Sequence, residues 1–259
     1  ADHSAGTVGG GLLEARVVDR ARALLQAGTE TDTMEIDLGG GPDSAGVCGG
    51  RMRIGLARWQ GAASTLRAGD VATTLDAGRA VLLSAEETGG VPIVIAPEPL
   101  LLILGAGHCG SALAQQAAWL GYRLAVFDPR ADLLSDPAFA TARTFHGEAS
   151  VIAPLLGDDT LVAVLLNRDW HADVAGLRVL AESPPRYVGM MGSRRRVHQV
   201  RSTIPELVAR FPVLDAPLGL GIGAETPEEI AVSILARLVA FRRLGPGAPR
   251  SPQQPLEPP

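Results

Sequence analysis

The 259-residue chain is 46% hydrophobic with a mean hydropathy of +0.18, enough apolar surface for one large or two ordinary domains. Its net charge of −5 and pI of about 5.6 exclude the basic footprint of a nucleic-acid binder. All 23 basic residues are arginine, which excludes a lysine Schiff base, a Walker A lysine and a lysine general base, and leaves a planar cationic fork suited to anions.

In chain order, residues 12–27 carry an amphipathic pattern that stops at Gly28 and predicts a helix. Residues 34–38 predict a short strand, followed by a glycine-rich loop over 39–43. Val47-Cys48-Gly49-Gly50 then leads into an alternating stretch, 51–59, that reads as a second strand. Residues 66–83 predict a helix, and 89–99, with three prolines, predict a linker.

Beyond that linker strands and helices alternate. Strands are expected over 100–104, 123–127, 141–145, 161–166 and 187–190, and helices over 111–120, 149–156, 172–181, 194–210 and 227–243. Leu161-Val162-Ala163-Val164-Leu165-Leu166 contains no polar residue, as a parallel strand covered on both faces requires. The fold class is therefore α/β: a Rossmann-type doubly wound parallel sheet over 100–244, with a smaller amino-terminal α+β domain over 1–90 and a linker over 91–99. The stretch 245–259, with six prolines and no periodicity, predicts a disordered tail. No apolar run reaches the roughly 18 residues of a membrane span, and no signal peptide opens the chain. Two cysteines, Cys48 and Cys109, make no disulfide framework, so a reducing, cytoplasmic setting is expected.

The segment with the clearest chemistry is Gly105-Ala106-Gly107-His108-Cys109-Gly110, set between an apolar strand and an amphipathic helix. Gly105 permits the tight turn, Gly107 lets the backbone approach a pyrophosphate, and Gly110 allows close helix packing. The helix N-terminus then faces the anion with free N–H groups and partial positive charge. Asp128 ends the next strand, where a carboxylate accepts from ribose hydroxyls and repels a 2′-phosphate, which favours NAD or another adenine nucleotide over NADP. His108 either bonds a ligand phosphate or caps the turn, and Cys109 is expected to point into helix packing. Nothing nearby completes a zinc site, and no metal ligands are assigned.

Two further segments have the character of anion sites. Gly189-Met190-Met191-Gly192 leads to Ser193, a plausible N-cap, and to Arg194, Arg195 and Arg196 in the first turn of a helix. Cations oppose the helix dipole there, so an external anion is the expected partner. The second segment alternates glycines at Gly219, Gly221 and Gly223, which suggests close approach by backbone or ligand. It ends in a capping box, Thr226 with Glu229, with Pro227 in the first helical position.

Taken together, these segments resemble the xanthine dehydrogenase accessory (XdhC/CoxI) family. The matching pieces are Gly6-Thr7-Val8-Gly9-Gly10-Gly11 with Glu14, Cys48-Gly49-Gly50, the turn over 105–110, Tyr187-Val188-Gly189 through Arg195, and the glycine-rich loop from Gly219 to Ala231. The resemblance implies an assisting role rather than catalysis. The protein would bind molybdenum cofactor, protect it during sulfuration by a cysteine desulfurase, and deliver it to a xanthine dehydrogenase-like molybdenum hydroxylase. It makes Cys48 the candidate cofactor ligand or sulfur-handling residue, since a thiolate suits a soft metal and persulfide chemistry. Gly49, Gly50, Gly105, Gly107, His108, Gly110, Asp128, Ser193, Arg194 and Arg195 are the candidate cofactor-binding residues.

Three departures from the family pattern stand out: Asn167-Arg168-Asp169 in place of a Thr-His pair before the aspartate, Gly221 in place of an aspartate, and the family's strands ahead of Gly6, which are either lacking or removed. The last predicts completion by a second copy in a homodimer. Competing readings are an NAD-dependent oxidoreductase, with His171, His198, Tyr187 or a carboxylate as proton donor, and a nucleotide-sensing module without catalysis.

Overall fold

A computed structural model describes residues 5–40 and 49–248, which fall into two compact units. The first comprises residues up to Asp76 together with Ala80–Ala96. It opens with α1 (Gly11–Ala27), which Gly28 ends in the left-handed conformation. A two-stranded antiparallel ribbon follows, β1 (Thr31–Asp37) and β2 (Arg51–Ala57), with Met34 opposite Ile54 and Ile36 opposite Met52. The period of two turns Met34, Ile36, Met52, Ile54 and Leu56 to one face, where they cover Leu13 and Val17 of α1.

The unit continues with α2 (Gly61–Asp76), β3 (Val81–Leu83), α3 (Ala85–Thr88) and β4 (Ile93–Ile95). One expectation fails here: the helix expected over 66–83 stops at Asp76. The stretch read as a linker holds the boundary between the units, after Ala96, and also β4, paired antiparallel with β3. Runs as short as Val81-Leu82-Leu83 carry no periodicity that separates strand from helix.

The second unit holds Pro97 onward. Its elements are β5 (Leu100–Leu104), α4 (His108–Trp119), β6 (Arg123–Phe127), β7 (Arg143–Phe145), β8 (Val162–Leu165), α5 (Trp170–Leu180), β9 (Tyr187–Met190), α6 (Arg194–Thr203), α7 (Pro205–Val208), β10 (Leu214–Asp215) and α8 (Pro227–Leu244). Six strands form one parallel sheet in the order β10-β9-β8-β5-β6-β7. The order reverses between β5 and β8, the switch point of a Rossmann-type doubly wound fold. Both faces are covered. Leu101, Ile103 and Val164 pack on one side with Leu113 and Leu238, while Leu102, Leu104 and Leu165 pack on the other with Leu177 and Val200.

Three details depart from expectation in this unit. The helix expected over 194–210 breaks at Ile204, because Pro205 cannot donate the next hydrogen bond and opens α7 instead. Residues 149–155, with Pro154 inside, form a 3₁₀ turn rather than an α-helix. The residues 245–248, assigned to a disordered tail, are anchored: Ala248 is buried and its carbonyl accepts from Nη1 of the buried Arg237 at 3.0 Å. No helix of the described residues is long and apolar enough to cross a membrane.

Candidate functional site

The turn after β5 is bound to the next strand, with Gly105 N donating to Phe127 O at 2.8 Å. Its three glycines have separate reasons. Gly105 sits at φ +118°, and a Cβ there would lie 2.8 Å from the Leu166 carbonyl carbon. A Cβ on Gly110 would meet Gly105 O at 2.1 Å, so the first turn of α4 packs directly on the loop. A Cβ on Gly107 would meet nothing within 4 Å. Sterics of the fold do not require that glycine, which leaves room for a ligand to approach the backbone.

The turn forms one wall of a cleft of about 830 Å³ at the switch point, within the size range of small-molecule sites. Gly107 is the N-cap of the 12-residue α4, which presents its amino-terminal N–H groups there. His108 is exposed in the cleft wall. Asn167, Arg168, Met191 and Glu225 also line the cleft, and none of them belongs to the glycine motif. Asp132 and Asp136 also line the cleft, so its cationic character is confined to the helix terminus, Arg130 and Arg168. Cys109 is half-buried: it packs against the α4–α8 side of the core and also edges the cleft. Burial pushes its thiol above the usual cysteine range, with a further rise from Glu228, so it holds little thiolate.

Asp128 lies at the turn, but not as a free ribose acceptor. It is 1% exposed, and four donors surround its carboxylate. Oδ1 accepts from the backbone N–H of Arg130 at 3.0 Å and from its Nε at 2.9 Å. Oδ2 accepts from Ala106 N at 2.9 Å and from Arg130 Nη2 at 2.9 Å. Burial raises the Asp128 carboxyl, and the bonds from Arg130 and Ala106 outweigh it, so it titrates below the usual carboxylate range. Arg130 thus offsets the charge expected to repel a 2′-phosphate and engages both oxygens expected to read a ribose. The signal for Arg130 was local, since it stands two residues beyond Asp128 across Pro129, where side chain and backbone both fold back on the carboxylate.

The arginine cluster divides. Ser193 caps α6 by accepting from Arg196 N at 3.3 Å. Arg196 turns inward, donating from Nε to Asp173 Oδ2 at 2.9 Å and from Nη1 to Arg168 O at 2.7 Å. Its anion is internal, which corrects the expectation of an external one for this member of the cluster. Arg194 and Arg195 are exposed and do not line the cleft. In the second glycine-rich loop a Cβ on Gly219 would meet Ser233 Oγ at 2.4 Å, so that glycine serves contact with α8. Glu225 and Pro227 bring the end of the loop to the cleft.

In the amino-terminal unit, Gly49 and Gly50 both have positive φ and extend the β1–β2 ladder, with Gly49 N donating to Leu38 O at 2.8 Å. Cys48, which precedes them, lies outside the described residues. Glu14 explains the opening glycine motif: its Oε2 accepts from Thr7 Oγ1 at 2.8 Å and Val8 N at 2.9 Å. The carboxylate thus ties the incoming chain to the first turn of α1.

Of the proton donors named for a dehydrogenase, carboxylates line the cleft, whereas Tyr187, His198 and His171 do not. The Tyr187 hydroxyl is buried on Asp215 at 2.8 Å. His198 is exposed on α6, and His171, bonded through Nδ1 to Asp169 at 2.8 Å, lines a different cavity. Among the described residues no group of His, Cys, Asp and Glu is arranged to hold a metal ion.

A family model described as the XdhC Rossmann domain matches residues 101–238, and that of the XdhC and CoxI family matches residues 1–37. Over 253 residues the chain is 30% identical to the Escherichia coli K12 protein YqeB, described as uncharacterised, covering 93% of this chain and 39% of that protein. It is also 30% identical over 159 residues to a Bacillus subtilis 168 protein described as a probable subunit of xanthine dehydrogenase, covering 58% of this chain and 44% of that one. The chain therefore spans less than half the length of these curated relatives. A crystal structure described as a xanthine dehydrogenase from Bacillus halodurans superposes with a TM-score of 0.76 at 22% identity, covering 96% of this chain and 85% of that chain. At that identity the likeness is one of fold.

Proposed function

The chain belongs to the XdhC family, and from that premise we propose that it is a molybdenum-cofactor-binding accessory protein. It holds the cofactor for sulfuration by a cysteine desulfurase and passes it to a xanthine dehydrogenase-type molybdenum hydroxylase. The observation that carries this reading is the cradle at the switch point: an α4 N-terminus faced by Gly107, whose missing side chain leaves open space, suits the phosphate of a pterin cofactor. His108 and Arg168 edge the same cleft and would flank that phosphate. When bound, the cofactor supplies a soft metal–dithiolene centre, for which a thiolate is the matched donor. Cys48 is the residue we assign to that role, because the family resemblance points to it and because burial disfavours the thiolate of Cys109, the other cysteine of the chain. The outer edges of the β1–β2 ribbon are unpaired among the described residues, which supports assembly as a homodimer.

A dehydrogenase needs a proton donor at the nicotinamide; of the named candidates His171, His198 and Tyr187 do not line the cleft, which leaves that reading the carboxylates Asp132, Asp136 and Glu225. The test is anaerobic loading with molybdenum cofactor, gel filtration, and fluorescence assay of the pterin retained. The parent and Cys109→Ala should retain stoichiometric pterin, and Cys48→Ala should retain far less and fail to activate a recipient hydroxylase. Equal retention by Cys48→Ala removes the cysteine from the mechanism. A parent that retains no pterin overturns the reading.

A further inference from the structure

We propose that Arg130 is a built-in surrogate for a ribose diol, and that it closes the adenosine-ribose subsite of the cleft. A carboxylate offers about four acceptor positions. In Asp128 two are taken by backbone N–H groups, Arg130 N on Oδ1 and Ala106 N on Oδ2. The remaining two, one on each oxygen, are where the paired hydroxyls of a nucleotide ribose donate in dinucleotide-binding folds. Here Nε and Nη2 of Arg130 take both, each at 2.9 Å. The guanidinium fork is a rigid pair of parallel donors, so it matches the same two positions as a vicinal diol.

Arg130 is not thereby a hook for a ribose 2′-phosphate. Its charge is offset by Asp128, with which it is paired, and by the nearby Asp132. The cleft therefore selects on the phosphate at the α4 terminus and on the Asn167–Arg168 wall, and is indifferent to a ribose diol. This rests on the cleft being the phosphate site proposed above, and it narrows the ligand to a phosphate ester whose recognition does not depend on an adenosine ribose. The side chain of Arg130 is 59% exposed, so its truncation removes little packing and uncovers one acceptor position on each Asp128 oxygen.

The experiment is calorimetric titration of the full chain with pyrophosphate, ADP and 2′,3′-dideoxy-ADP. The parent should bind the two nucleotides within about twofold of each other, whereas Arg130→Ala should prefer ADP by at least about tenfold, the worth of a single hydrogen bond to a charged acceptor. Adding Asp128→Asn to Arg130→Ala should diminish that preference. A parent that prefers ADP by about fivefold or more overturns the inference, as does pyrophosphate binding without a diol preference in Arg130→Ala. Failure of pyrophosphate to bind either protein overturns the cradle itself, and the inference with it.

Discussion

The guanidinium of Arg196 lies on the carboxylate of Asp173, a residue with no exposed surface, while Asn167 donates to the other oxygen at 3.0 Å. Asn167 lines the cleft, and Arg196 also holds the carbonyl of Arg168. An arginine placed for a ligand by its position at a helix start instead fixes the loop between β8 and α5 that forms one wall of the site.

Arg196→Ala should therefore behave unlike Arg195→Ala. Removing one partner of a buried pair leaves an uncompensated charge and costs about 3 kcal/mol. The exposed Arg195 should cost less than about 0.5 kcal/mol. Urea denaturation of both variants measures the difference, and equal stabilities would show that the Asp173 pair contributes nothing. Acid provides a second check. Burial raises the Asp173 carboxyl, and Asn167 and Arg196 only partly counter it. The folded state then holds this proton to higher pH than the unfolded chain, so stability from this group rises as pH falls through its folded value and levels off below the unfolded one. Asp173→Asn should lack that component, visible as a pH-dependent difference in Tm from the parent between neutral and mildly acidic buffer.

The glycines of the turn should separate by substitution. Gly110→Ala drives a Cβ into Gly105 O and should cost about 2 kcal/mol, seen in the urea midpoint. Gly107→Ala, with open space around its Cβ, should cost less than about 1 kcal/mol as an N-cap change. Yet the methyl group stands where a phosphate approaches, so pyrophosphate binding should weaken by about tenfold in this folded variant. Unchanged affinity in Gly107→Ala would move the ligand elsewhere.

Glu14 should make the start of the chain acid-sensitive. The N–H of Val8 foremost, then the Thr7 hydroxyl and the N–H of Gly10, hold its carboxyl below the usual glutamate range. A depressed value means that the tether is intact above the ordinary glutamate pKa and is lost as pH falls through the lower, folded one. Amide exchange at Val8 and Gly10 should accelerate across that interval after correction for intrinsic rates. In Glu14→Gln the acid-dependent change should vanish. Exchange that is the same in parent and Glu14→Gln at every pH would mean that the carboxylate does not anchor the segment.

Much of the second unit was decided locally. Apolar runs such as Leu100-Leu101-Leu102-Ile103-Leu104 have no polar face and demand cover on both sides, and the alternation of such runs with amphipathic helices leaves few arrangements besides a doubly wound sheet. The glycine turn was partly legible: the close contact of Gly110 is with Gly105 and belongs to the motif itself, whereas Gly105 is crowded by Leu166 at the end of the neighbouring strand, which only the sheet brings there. Small elements were not legible. Val81-Leu82-Leu83 is a strand only because Ile93-Val94-Ile95 pairs with it, and β10 exists only through its register with β9. The same division runs through the site. Residue type and position marked Asp128 and the arginines as ionic, but a charge does not carry its partner in its own sequence. Asp173 and Arg196 are 23 residues apart, and the sheet brings them together in a place without water, where an unpaired charge is intolerable. Asp128 shows both sides of this division: three of its four donors belong to Arg130, two residues on and within local reach, whereas the fourth, the N–H of Ala106, is brought to it only by the pairing of β5 with β6.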